Sequence, residues 1–177
     1  TEGGTSGQGG MGGTGGTGGT LVLGDELIVN GGFEDGLDSW DRFGNPTLEL
    51  LDEGCYEGNH CLLCTDRSAN WEGPAQYLTG LVQPGGRYLF SAMLRTTSST
   101  FYQFKVTAKI YCEGDDTPYF TQIVVKNARD EWVPFEGQFV ARDCEHSEFS
   151  FYVEQGTTTE PYPDIVLDAV SVREILE

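Results

Sequence analysis

The chain has 177 residues, 38% apolar and 12% aromatic, with 28 acidic against 10 basic side chains and a formal net charge of -18. Such a field repels phosphate backbones and anionic headgroups, which excludes nucleic acid and anionic membrane surfaces and leaves cations and neutral ligands open. No apolar run is long enough to cross a bilayer as a helix, so no membrane span is expected.

The chain divides by composition into residues 1–20, TEGGTSGQGGMGGTGGTGGT, and residues 21–177, one domain's worth of ordinary globular sequence. Within the opening stretch, Gly7–Gly12 fits the GxGxxG pattern, but no strand precedes it and no helix follows, so it is a product of low complexity and not a nucleotide site. Its glycine pairs are spaced by Glu2, Thr5, Gln8, Met11, Thr14, Thr17 and Thr20, with Ser6 the single break. Period three is that of an extended polyproline-II-type helix, which would place these side chains on one ridge about 60 Å long. Bare glycine ridges admit close approach of another backbone. The arm is therefore expected to lie along a second copy of the chain, anchored by Leu21, Val22 and Leu23, in a head-to-tail contact that propagates into a filament. The alternative is a flexible spacer between an anchor or an enzyme and a binding module. Lack of an initiator Met and of a charged-then-apolar leader gives the further expectation of a processed, secreted or cell-surface chain.

Beyond the arm, apolar residues recur with period two. Short strands are expected at 27–29, 47–51, 61–64, 75–78, 87–95, 104–110, 119–125, 132–140, 148–154 and 164–172, separated by turn sequences such as GGFEDG, QPGG and EGDDTP. In RYLFSAMLR, for example, Tyr88, Phe90, Ala92 and Leu94 alternate with Arg87, Leu89, Ser91 and Met93. About ten strands without a convincing helix predict an all-β fold, a jelly-roll sandwich of two antiparallel sheets carrying the N-terminal glycine-rich arm.

Five cysteines point to an oxidising compartment. Cys61 and Cys64 form a CxxC, but residues three apart on a strand face opposite ways and cannot converge on one metal. Many pairings are open to five cysteines; the one expected closes Cys55 to Cys61 around YEGNH, ties Cys112 to Cys144 and leaves Cys64 a buried thiol. No Ser/His/Asp or Cys/His set stands out, nor any particular carboxylate pair, so the chain is read as non-catalytic.

In SFYVE, Phe149, Phe151 and Val153 take the core side, which places Tyr152 and Glu154 together on the other face. An aromatic ring beside a carboxylate is suited to holding a sugar, the ring against C–H groups and the carboxylate accepting from hydroxyls. The run Arg67-Ser68-Ala69-Asn70-Trp71-Glu72-Gly73-Pro74, with Leu78, Pro84-Gly85 and Tyr88-Leu89-Phe90-Ser91, resembles the signature of carbohydrate-binding modules of families 22 and 4. Asn30-Gly31-Gly32-Phe33-Glu34, Trp40 and Leu167-Asp168 extend the resemblance to about residues 26–174. It implies a calcium-stabilised jelly roll that binds β-1,4-linked polysaccharide, xylan or β-glucan, in a groove across one sheet. Carried over by position, it implies Arg42, Trp71, Tyr119, Tyr152 and Glu154 as sugar-binding residues. Calcium would be held by ligands including Glu34 and Asp168.

Overall fold

A computed structural model describes residues 20–176. They form eleven strands and no helix: β1 (Leu23–Glu26), β2 (Asp41–Phe43), β3 (Thr47–Leu51), β4 (Cys61–Thr65), β5 (Gly73–Tyr77), β6 (Arg87–Arg95), β7 (Tyr102–Cys112), β8 (Tyr119–Ala128), β9 (Val133–Val140), β10 (His146–Gln155) and β11 (Ile165–Ile175). One sheet runs β3-β4-β11-β6-β9 with β1 added against β11, and the other runs β2-β5-β10-β7-β8; every pairing is antiparallel. This is the expected jelly-roll sandwich. Alternating side chains from both inner faces, among them Phe90, Leu94, Phe104, Ile110, Phe149, Phe151 and Leu167, fill the space between the sheets.

Two local departures carry physical reasons. The apolar run 27–29 lies outside any strand, and the first strand falls earlier, at 23–26. Leu27 N–H still bonds Val172 O, but the N–H and C=O of Val29 are both taken by the Gln76 side-chain amide at 2.9 Å. A buried glutamine thus occupies the place of a neighbouring strand and ends the ladder. The second departure is β1 itself. Leu23, expected to anchor a neighbouring copy, pairs with Ile175 of its own chain, and Val22 O accepts Leu176 N–H. Thr20, Leu21 and Val22 are exposed. The other arm positions, Glu2, Thr5, Gln8, Met11, Thr14 and Thr17, lie outside the described residues.

Cys55 is bonded to Cys61 and Cys112 to Cys144, and Cys64 is a buried free thiol. Burial pushes the Cys64 pKa up to about 12, so it stays protonated and unreactive.

Candidate functional site

The outer face of the five-stranded sheet gathers aromatic and charged side chains. On β10, Phe149, Phe151 and Val153 enter the core, which turns Tyr152 and Glu154 outward. Opposite them on β7, Thr107 pairs with Tyr152 and Lys105 with Glu154. Phe43 of β2 stacks on Tyr152 at 3.9 Å between centroids and 21° between planes, and Trp71 stands edge-on to Phe43 at 5.8 Å. Tyr152 is only 4% exposed, whereas Trp71 is 45% exposed and Tyr77, on β5, is 47% exposed. The result is a stepped aromatic line from Trp71 through Phe43 to Tyr152.

Polar groups flank that line. The buried Glu154 carboxylate accepts the Thr107 hydroxyl at 2.7 Å and lies 3.3 Å from Lys105 Nζ. Burial, followed by the Glu154 charge, pushes the Tyr152 phenol far above its usual range, so its O–H stays a donor. Lys109 Nζ bonds Glu148 Oε1 at 2.8 Å and lies 4.7 Å from the Tyr111 ring centroid and 5.6 Å from that of Phe43. Each lysine is matched by a glutamate. The face therefore offers charged donors and acceptors side by side, an arrangement that suits neutral hydroxyls.

Trp71 owes its position to two neighbours in the RSANWEGP run. The buried Arg67 guanidinium donates to Glu72 O (2.8 Å), Pro163 O (2.7 Å) and Asn70 O (2.9 Å), clamping both sides of Trp71. The Glu72 carboxylate accepts Ser68 N–H (2.6 Å), Ala69 N–H (3.3 Å) and Asn45 N–H (3.1 Å). Burial pushes the Glu72 pKa up, but these donors together outweigh it and hold the carboxyl below the usual carboxylate range. The bond to Asn45 ties the Trp71 turn to the end of β2. Gly44 makes the close approach possible: its φ is 85°, and a Cβ there would come within 2.5 Å of Glu72 Cγ and 2.7 Å of Trp71 Cζ3.

Two residues implied by the resemblance do not join this face. Arg42 pairs with the buried Pro74, with the opposite orientation to Asp41 and Phe43, and lines a hollow at the sheet edge with Leu37, Trp40, Asp41 and Leu48. Phe43 holds the outward position instead. Tyr119 pairs with the core residue Ile110 and lies under the Arg142 guanidinium, 3.6 Å from its ring centroid, with its hydroxyl on Asp115. Its neighbour Phe120, opposite Lys109 and 56% exposed, faces outward. The cause is a β-bulge between Val106 and Thr107, where the pairing skips Ile123. One skipped residue exchanges the two faces for the rest of the strand.

Glu34 and Asp168, the implied calcium ligands, both hold the 55–60 loop. Glu34 Oε1 accepts Asn59 N–H (2.8 Å) and His60 N–H (2.9 Å), and Oε2 accepts the Asn59 side-chain amide (3.1 Å). The His60 N–H, then those of Asn59, keep the Glu34 carboxyl below its usual range. Buried Asp168 accepts Tyr56 N–H (2.9 Å), Glu57 N–H (3.1 Å) and Ala169 N–H (2.7 Å); burial raises its pKa, and the three donors oppose the rise. Calcium requires a shell of oxygen atoms. Here N–H groups point at both carboxylates, and the nearby Cys55 and Cys61 sulfurs, within 4.8 Å of Asp168, are bonded to each other. Both carboxylates are thus engaged by N–H groups of the 55–60 loop.

A family model described as "carbohydrate binding domain" matches residues 25–163. The chain belongs to that family. Endo-1,4-beta-xylanase A of Thermoanaerobacterium saccharolyticum is 31% identical over 141 residues, 78% of this chain but only 12% of that enzyme's length. Among solved structures, the first family 22 xylan-binding domain of Paenibacillus barcinonensis Xyn10C superposes with a TM-score of 0.75 at 22% identity, over 86% of this chain and 96% of that one. The family 22 and catalytic modules of Clostridium thermocellum xylanase 10B, solved with xylohexaose, give 0.74 at 16% identity, over 84% of this chain and 28% of that one. The resemblance read from residues 26–174 is thus to the family the chain belongs to, and the domain is a binding module without catalytic machinery.

Proposed function

We propose that the outer face of the five-stranded sheet binds a β-1,4-linked polysaccharide of xylan type. The observation that carries this is the Trp71, Phe43, Tyr152 line set directly beside the Glu154–Lys105 and Glu148–Lys109 pairs. The Trp71 and Phe43 rings, the latter backed by Tyr152, stack on the C–H faces of pyranose units, and the paired charges exchange hydrogen bonds with the sugar hydroxyls. Names of similar proteins support xylan as the glycan.

The glycine-rich segment serves as a tether to a further domain of an extracellular enzyme or surface protein. Two observations favour this over the head-to-tail filament: the matched stretch is 12% of the length of a similar xylanase, and Leu23 is already paired within its own sheet. Calorimetric titration with xylohexaose tests the binding face. Trp71→Ala and Tyr152→Ala should each weaken binding about tenfold or more, and failure of the intact chain to bind xylan or any β-glucan would remove the function.

A further inference from the structure

The outer face of the other sheet mixes polar and apolar side chains, with Leu89 set between Gln138 and Arg173 and Met93 opposite Pro134. Register turns Ser91, Glu136, Gln138 and Arg173 outward there. At one end, however, Tyr56 and Trp132 stand 6.1 Å apart with their rings inclined at 65°, and Tyr56 is 51% exposed. Arg95, which follows the core residue Leu94 on β6 and so faces outward, places its guanidinium 5.1 Å from the Trp132 ring centroid.

These rings are held in place from behind. Trp132 Nε1–H and an Arg95 guanidinium N–H both donate to Gly54 O at 3.3 Å. Tyr56 follows Cys55, which is bridged to Cys61, and its N–H is bonded to buried Asp168. The disulfide and the buried carboxylate thus fix the backbone that presents this exposed ring. Its exposure is retained at a cost in free energy that a ligand would offset.

We infer that Tyr56, Trp132 and Arg95 form a second sugar subsite, on the sheet opposite the first, which takes one or two pyranose units of a neutral polysaccharide. Size favours a sugar over a protein partner, because a stable protein interface buries about 800 Å² on each side, far more than two inclined rings present. Chemistry agrees: ring faces for C–H groups, a guanidinium for hydroxyl oxygens, and a net charge of -18 that repels anionic chains. With one subsite on each sheet the module is divalent and bridges two polysaccharide chains. The ligand class rests on the carbohydrate reading above; the location does not.

The three tryptophans separate the two sites by experiment, since Trp40 is in the core, Trp71 is at the first face and Trp132 is at the second. The indole N–H resonances of the ¹⁵N-labelled full chain are followed during titration with xylohexaose and, separately, cellohexaose. Trp71 and Trp132 should both shift, with different half-saturation points. Tyr56→Ala should weaken the Trp132 titration about tenfold and leave the Trp71 curve in place, while Tyr56→Phe keeps both. In Trp71→Ala the Trp132 shift should persist, which rules out transmission from the first face. Movement of Trp71 alone would overturn the second subsite and leave the first standing; movement of Trp132 alone would do the reverse, and no movement with either probe removes both.

Discussion

Phe43 illustrates how one outward-facing ring on a short edge strand organises its neighbours. It lies flat on Tyr152, meets Trp71 edge-on and passes beneath the Lys109 ammonium. Tyr152, largely covered by that stack, offers a sugar little ring surface of its own, so Phe43 presents the accessible part of the platform. Aromatic pairs of this kind contribute about 0.5–1.5 kcal/mol each beyond simple burial. Phe43→Ala should therefore lower xylohexaose affinity about tenfold and leave Tyr152 more exposed to solvent. Phe43→Tyr, which keeps the ring, should bind near wild type. Equal calorimetric affinities for Phe43→Ala and the parent chain would show that the platform is Trp71 and Tyr152 alone.

At the scale of elements, the turn at residues 67–72 couples stability to presentation of the site. The Glu72 pKa is lowered on folding, so its contribution is fully present above the usual carboxylate pKa and is lost as pH falls through the depressed folded value. Acidification below about pH 4, under the usual carboxylate range, should lower the parent's thermal midpoint. Glu72→Gln should start from a lower midpoint at neutral pH and fall less steeply. An unchanged acid slope in Glu72→Gln would show that the turn does not depend on the charge. The same turn marks what sequence makes legible. RYLFSAMLR and SFYVE have enough alternating positions to fix which side chains face the core, and those assignments match β6 and β10. Three residues in β2 are too few for alternation to orient Arg42 against Phe43. A bulge in the middle of a β-branched run leaves Ile123 and Val124 both buried, so the reversal that turns Tyr119 inward and Phe120 outward has no periodic signal before the pairing is known. Likewise, the letters of Gln76 give no hint that its amide takes the place of a strand beside Val29.

Over the whole molecule, β1 closes the sandwich by pairing residues 23–26 with the end of β11. Val22 O accepts Leu176 N–H, Leu23 lies opposite Ile175, Arg173 donates to Gly24 O, and Glu26 accepts Val172 N–H at 2.9 Å. If the glycine-rich segment is a tether, its removal takes nothing from the module: a chain beginning at Leu21 should keep its thermal midpoint, its monomeric mass and its xylohexaose affinity. Starting instead at Leu27 removes β1, uncovers the C-terminal part of β11 that β4 does not reach and leaves Ser171, Val172 and Arg173 without their Glu26 and Gly24 partners. With a net contribution of about 0.5–1.5 kcal/mol for each typical hydrogen bond lost, the midpoint should drop by several degrees. The filament alternative makes the opposite forecast for the first truncation, because polymers seen by electron microscopy for the full chain would vanish on deleting residues 1–20. Scanning calorimetry and light scattering on the two truncations decide between them. A fall in midpoint or in assembly size already at the Leu21 start would mean that the segment is a working part of the structure rather than a leash.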